Sequence, residues 1–156
     1  MKKILIICGP TATGKTKLAV TLAKKFSGEI ISADSRQIYQ GMDIVTGKDL
    51  PAAKQAGITI YGYDLIKPDE EFSVAHFVKY AHDLINQIRF PIIVGGTGLY
   101  LNSLINPPPT LTIPPNWQLR KKLEKKSAVQ LQKALMKINP IRFNQMNHSD
   151  QLNPRR

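Results

Sequence analysis

Apolar residues follow two rhythms along the first two thirds of the chain. Short β-branched runs at Lys3–Cys8, Glu29–Ser32, Ile58–Tyr61 and Pro91–Val94 predict buried strands. Between them the spacing changes to that of helices. Lys15–Phe26 places Leu18, Ala19, Leu22, Ala23 and Phe26 on one face, with Gly28 as its stop. Ser73–Arg89 carries a stripe of Val74, Phe77, Val78, Ala81, Leu84, Ile85 and Ile88, and Ser73 is a natural N-cap. Leu99–Ile105 predicts a short apolar helix, and Gly41–Lys54 reads as a loop interrupted by Gly47, Asp49 and Pro51. Strands alternating with helices predict an α/β fold, a parallel sheet flanked by crossover helices. Tyr39, Tyr61, Tyr63 and Tyr100 read as packing residues, and His76 as a surface histidine.

The rhythm breaks at Asn106. Pro107-Pro108-Pro109 and Pro114-Pro115 bracket a threonine-rich linker, followed by basic helical stretches at Trp117–Lys126 and Val129–Ile138. The expected organisation is therefore a core over 1–105 and a proline-rich linker with a basic, mainly helical segment over 106–156. Charge sharpens this division. Residues 1–105 hold 12 basic and 9 acidic side chains, whereas 106–156 hold 10 and 2, within a total net charge of +11. An arm of that sign suits a polyanion, most naturally nucleic acid, although a solvated lysine-rich face has the same composition.

Composition excludes several classes. A hydrophobic share of 42% rules out global disorder, and no apolar run approaches a membrane span. The single cysteine excludes an internal disulfide and a cysteine-based zinc site, and the first apolar run stops at Gly9-Pro10 with no small-residue cleavage site after it, so a cytoplasmic location is expected.

Gly9-Pro10-Thr11-Ala12-Thr13-Gly14-Lys15-Thr16 fits G-x-x-x-x-G-K-[ST], between a predicted strand and a predicted helix. The glycines let backbone N–H groups turn inward around a phosphate, and the helix N-terminus adds partial positive charge. Lys15 supplies a full charge, and the Thr16 hydroxyl can ligate Mg²⁺. The motif predicts binding of a di- or triphosphate, as in nucleotide- and ATP-binding proteins, without specifying hydrolysis. Asp34 follows the second strand and is expected near this loop, because parallel sheets bind ligands at their strands' carboxyl ends. It could serve as a general base, as a partner of Mg²⁺, or as a turn residue. Gln37 carries the amide donor and acceptor that read adenine's N6 and N7 edge. The last strand ends in Gly95-Gly96-Thr97-Gly98 rather than in a carboxylate, which favours a small transferase over a motor ATPase.

Together GPTATGKT (9–16), ISADSRQIYQGMDI (31–44), FSVAHF (72–77) and PIIVGGTGLYL (91–101) resemble, in order and spacing, the tRNA dimethylallyltransferases. The segment NPIRFNQMNHSDQLNPRR (139–156) is similar to that family as well. The resemblance implies a P-loop NTPase-like sheet and transfer of a dimethylallyl group from dimethylallyl diphosphate to N6 of the adenosine 3′ of a tRNA anticodon, with diphosphate released. It implies Asp34, Lys15 and Thr97 as catalytic residues, the 9–16 loop as the diphosphate cradle, and Mg²⁺ on Thr16. By the same carry-over Asp34, Ser35, Arg36, Gln37, Thr97, Arg120, Arg155 and Arg156 meet the tRNA anticodon stem-loop. Residues 106–156 would then begin a tRNA-binding region, in a monomer with no membrane contact.

The sequence departs from the family in three ways. Val45-Thr46-Gly47-Lys48 stands where a glycine and threonine-alanine-lysine are usual, and His76 replaces a more usual acidic residue. Family members are also considerably longer, so the chain is expected to be a truncated or minimal form. A small-molecule P-loop kinase and an inactive RNA-binding fragment are the alternatives.

Overall fold

Four strands form one parallel sheet: β1 (Leu5–Cys8), β2 (Glu29–Ser32), β3 (Ile60–Tyr61) and β4 (Pro91–Gly95), in the spatial order β1-β4-β2-β3. β4 is central. Ile92 pairs with Leu5 of β1 on one side and Ile30 of β2 on the other, and Ile30 pairs in turn with Ile60 of β3. The structure, a computed structural model, describes residues 2–48 and 56–146.

Helices cover both faces, which is why β4 is apolar throughout and the two inner positions of β2 are isoleucines. Alternate side chains serve opposite layers. Ile30, Ile92 and Val94 meet Ala19, Val20 and Ala23 of α1 (Lys15–Phe26). Ile31 and Ile93 face Phe77, Val78, Ala81 and Ile85 of α3 (Val74–Gln87), together with Tyr100, Leu101 and Leu104 of α4 (Gly98–Ile105). Phe77 and Tyr100 stack at 4.3 Å with their planes 12° apart. Each fully buried isoleucine contributes about 1.5–3 kcal/mol, so this two-sided layer fixes the strand ends where the site lies.

Local signals set the helix ends. Ser73 caps α3, its Oγ accepting from the His76 N–H while His76 Nδ1 accepts from the Ser73 N–H. This reciprocal box needs an acceptor at the third helical position, and the imidazole supplies what an acidic residue usually does. Ser27, rather than Gly28, carries the left-handed cap of α1 (φ 50°). Two short helices arise where the sequence pattern predicts none: α2 (Asp43–Thr46), inside the expected 41–54 loop, and α7 (Pro140–Gln145). Both are too short to show a period. Residues 49–54 of that expected loop lie outside the described residues.

The chain separates into two compact units, Met1–Thr112 and Ile113–Arg156. The second contains α5 (Trp117–Glu124), α6 (Ala128–Ile138) and α7, none of which has a buried residue. Among the described residues no helix is long and apolar enough to cross a membrane.

Candidate active site

The loop between β1 and α1 turns through two left-handed residues. Gly14, at the N-cap of α1, sits at φ 78°, where a side chain is strained, and Ala12 adopts a left-handed φ of 63°. The Thr13 hydroxyl donates to the Pro10 carbonyl at 2.9 Å, and the Lys15 ammonium donates to the same oxygen. Among the described residues no side chain caps α1, so its first N–H groups remain for an anion.

β2 and β4 bring the second half of the site to this loop. The Ala33 N–H donates to the Val94 carbonyl at 2.7 Å, and the Thr97 N–H returns a bond to the Ala33 carbonyl at 3.3 Å. Their closeness depends on Gly95, because a Cβ there would stand 2.1 Å from the Ala33 oxygen. Any side chain at 95 would push the Asp34 segment away from β4.

Asp34, Ser32 and Gln37 line one cavity of about 320 Å³ with Thr11–Lys17, Thr46, Gly47, Tyr63 and Gly96. The expectation that Asp34 lies near the glycine turn therefore holds. Its Oδ1 accepts from the Arg36 N–H at 2.9 Å, an Asx turn, and among the described residues Oδ2 makes no hydrogen bond. Asp34 is thus a turn residue and a cavity carboxylate at once. Thr97 stands at the N-cap of α4 without capping it; its Oγ1 accepts from the Ser35 N–H at 3.0 Å and donates to Ser35 Oγ at 3.4 Å. The Thr97–Ser35 pair braces the Asp34 segment from the β4 side.

Gln37 departs from its expected use. Its Nε2 donates to the Thr46 and Gly47 carbonyls, both at 3.2 Å, and its Oε1 accepts from the Ser32 hydroxyl at 2.8 Å. With its donors engaged inside the protein, Gln37 cannot read an adenine edge as donor and acceptor together. Sequence reasoning missed the residues responsible. Ser32 read only as the end of a strand, and Thr46–Gly47 only as loop.

Lys48 is the other missed residue. Its side chain has no solvent exposure, and its Nζ donates to the Tyr39 carbonyl at 2.7 Å, Asp43 at 2.8 Å and Asp64 at 2.6 Å. Burial disfavours the charged form, but hydrogen bonds and charge from Asp43 and Asp64 outweigh it, and the Lys48 pKa lies above its ordinary value. Asp43, five residues before Lys48, was the available signal, but Asp64 is too distant in sequence for spacing to reveal the pairing. Burial raises the pKa of Tyr100, expected as packing, above its ordinary value, with smaller contributions from Tyr39 and Asp34.

The remaining predicted residues are dispersed. Arg36 is exposed, and Gly9 and Pro10 shape the loop without lining the cavity. Arg120 belongs to the second unit, its guanidinium lying over the half-exposed Trp117 ring at 5.0 Å. Arg155 and Arg156 lie outside the described residues.

Comparisons with known proteins agree with this architecture. The IPP transferase family model matches residues 37–156, and the isopentenyl transferase model matches residues 2–64. The chain is 50% identical over 131 residues to a tRNA dimethylallyltransferase of Acetivibrio thermocellus, covering 81% of this chain and 42% of that protein. It is 42% identical over 146 residues to tRNA dimethylallyltransferase 1 of Syntrophus aciditrophicus, covering 90% and 48%. Among solved structures, the tRNA isopentenylpyrophosphate transferase of Bacillus halodurans superimposes with a TM-score of 0.68 at 38% identity, covering 99% of this chain and 52% of that one. A eukaryotic dimethylallyltransferase acting on tRNA gives 0.84 at 28% identity, covering 99% and 39%. The chain thus spans about half the length of the curated relatives it matches.

Proposed function

The chain belongs to the IPP transferase family, and from that premise we propose that it carries the catalytic α/β unit of a tRNA dimethylallyltransferase. One observation carries the reading: Asp34 and the phosphate loop open on the same cavity. In this reading dimethylallyl diphosphate lies with its phosphates on the loop amides and Lys15. The bond between the allylic carbon and the diphosphate oxygen breaks, and diphosphate leaves with its charge held there. The adenosine 3′ of a tRNA anticodon, splayed out of its loop, attacks through N6. Asp34 accepts the proton that N6 sheds, and Thr97 and Ser35 hold the carboxylate segment in place.

Mg²⁺ fits the donors present. The cavity offers the Thr16 hydroxyl beside the loop amides, and no cluster of three acidic, histidine or cysteine side chains occurs among the described residues. Such a site suits a hard cation held largely by substrate phosphates and water, whose chemistry would be to neutralise the leaving diphosphate. The second unit, with Arg120 and its neighbouring lysines, would contact the anticodon arm. A monomer in the cytoplasm completes the reading.

The test is incubation of the protein with Mg²⁺, labelled dimethylallyl diphosphate and tRNA. Label in the tRNA is expected, and Asp34→Asn should lower transfer by about 10²–10⁴-fold while leaving diphosphate affinity nearly unchanged. Full turnover in that variant removes Asp34 as the base. Phosphoryl transfer from ATP without prenyl label would make the protein a kinase, and salt-sensitive RNA binding alone would make it a binding fragment.

A further inference from the structure

The turn of α2 forms one wall of the cavity but, among the described residues, has no apolar anchor. It contains no buried residue, and its outward side chains Ile44 and Val45 are 97% and 87% exposed. Polar ties must hold it. Besides its own backbone bonds and the Thr46 hydroxyl on Met42, these are Gln37 Nε2 and the Lys48 ammonium. Lys48 joins three separate pieces of chain at one atom: the Tyr39 backbone, Asp43 at the head of α2, and Asp64 beyond β3. Its three N–H donors meet three acceptors, so its position is fully determined.

The orientation of the Gln37 amide follows from that turn. Thr46 and Gly47 present two carbonyl oxygens to one end of the amide. Only the NH₂ end can face two acceptors; a flipped amide would set oxygen against oxygen. With both Nε2 hydrogens engaged and one Oε1 lone pair on Ser32, Gln37 offers the cavity a single remaining acceptor site.

We infer that Lys48 is a positioning residue that fixes the amide polarity of Gln37, making the cavity selective for a base bearing an exocyclic amine over one bearing a carbonyl at that position. This selectivity rests on the pocket being one for a nucleobase; the Lys48–Gln37 coupling does not. Withdrawing Lys48 leaves Asp43 and Asp64 without their shared cation and frees the Thr46 and Gly47 carbonyls from register.

Two readouts test it in the full chain. The first is the side-chain NH₂ resonances of Gln37, assigned by their loss in Gln37→Asn. Lys48→Met is expected to shift them toward solvent-exposed positions; unchanged resonances in folded Lys48→Met overturn the inference. If that variant does not fold, Asp43→Asn and Asp64→Asn carry the same measurement, with the same overturning result. The second readout is affinity for an RNA hairpin bearing adenosine or inosine at one unpaired position, with pyrophosphate binding as control. The adenosine preference is expected to fall about tenfold in Lys48→Met, the size of one lost pairing, with pyrophosphate affinity unchanged. A parallel fall in both affinities at a constant ratio marks a merely structural role and overturns it. If the wild-type chain ignores both hairpins while the resonances still shift, the coupling stands and the nucleobase reading of the pocket fails instead.

Discussion

The two units of this chain use similar amphipathic helices to different ends. In Met1–Thr112, Ala19, Val20 and Ala23 of α1 and the stripe of α3 close on a parallel sheet, while Leu18 and Phe26 of the expected α1 face stay half exposed; Ile30, Ile31, Ile92, Ile93 and Phe77 are sealed from water. In Ile113–Arg156, α6 has a comparable stripe and a reciprocal Ser127–Gln130 cap, yet none of its residues is buried. Val129, Met136 and Ile138 remain at least half exposed. The difference lies in what the stripe meets. A sheet buried on both faces supplies a flat apolar partner, whereas short helices beside one another cover only part of their surfaces. Apolar periodicity thus predicts a helix in either unit but not its burial, and the cavity is built where the burial is.

Replacing Gly95 with alanine should break the first unit most severely. The new Cβ would meet the Ala33 oxygen at 2.1 Å, so the paired backbone of β2 and β4 must part, and a loss of about 4 kcal/mol or more is expected in urea unfolding. The chain's one tryptophan, Trp117, lies in the second unit, so its fluorescence reports on that unit separately. Coincident tryptophan and circular-dichroism transitions in Gly95→Ala would show the two units to be energetically coupled.

Paired truncations sharpen the contrast. Phe77→Ala should cost about 3–5 kcal/mol, as expected for a buried aromatic, while Phe143→Ala, in a helix with no buried residue, should cost about 1 kcal/mol. Equal costs would remove the distinction between the units. At the site itself, Lys15→Ala should weaken pyrophosphate binding about 10- to 100-fold with little change in melting temperature, measured by titration calorimetry. Unchanged affinity would count against the phosphate loop.

The smallest effect concerns alkaline pH. The Tyr61 hydroxyl donates to Glu29 at 2.7 Å, and this bond, with burial and the Glu29 charge, raises its pKa above the ordinary 10.0. The folded state therefore holds this proton more tightly than the unfolded chain. The resulting stability is complete below the ordinary tyrosine value and disappears as pH rises through the folded one. Lys48, raised above 10.5, acts in the same direction. Tyr61→Phe should flatten the decline in stability between about pH 9 and pH 11, followed by urea midpoints; an unaltered slope would assign that decline to other groups.

Much of the fold was legible because its signals are local. β-branched runs, the stripe of α3 and the G-x-x-x-x-G-K-T loop each lie within a dozen or so consecutive residues, and β2, α1 and β4 form where those patterns predict. α2 and α7 escaped because one or two turns show no period. At the site, strand ends in a parallel sheet converge by rule, so the nearness of Asp34 to the loop followed from its place after β2. The remaining contacts join distant segments: Thr97 to Ser35, Gln37 to Thr46 and Gly47, Lys48 to Asp64.

By itself the sequence determined the parallel α/β arrangement, the glycine-rich turn between β1 and α1 and the carboxylate beside it, because backbone preference and burial act over short spans. Only the tertiary structure decided which groups remain open to a ligand. A side chain's hydrogen-bonding capacity is finite, and which partners reach it first depends on the packing of segments far apart in the chain. Gln37 carries a donor and an acceptor in any fold; this one leaves it an acceptor alone.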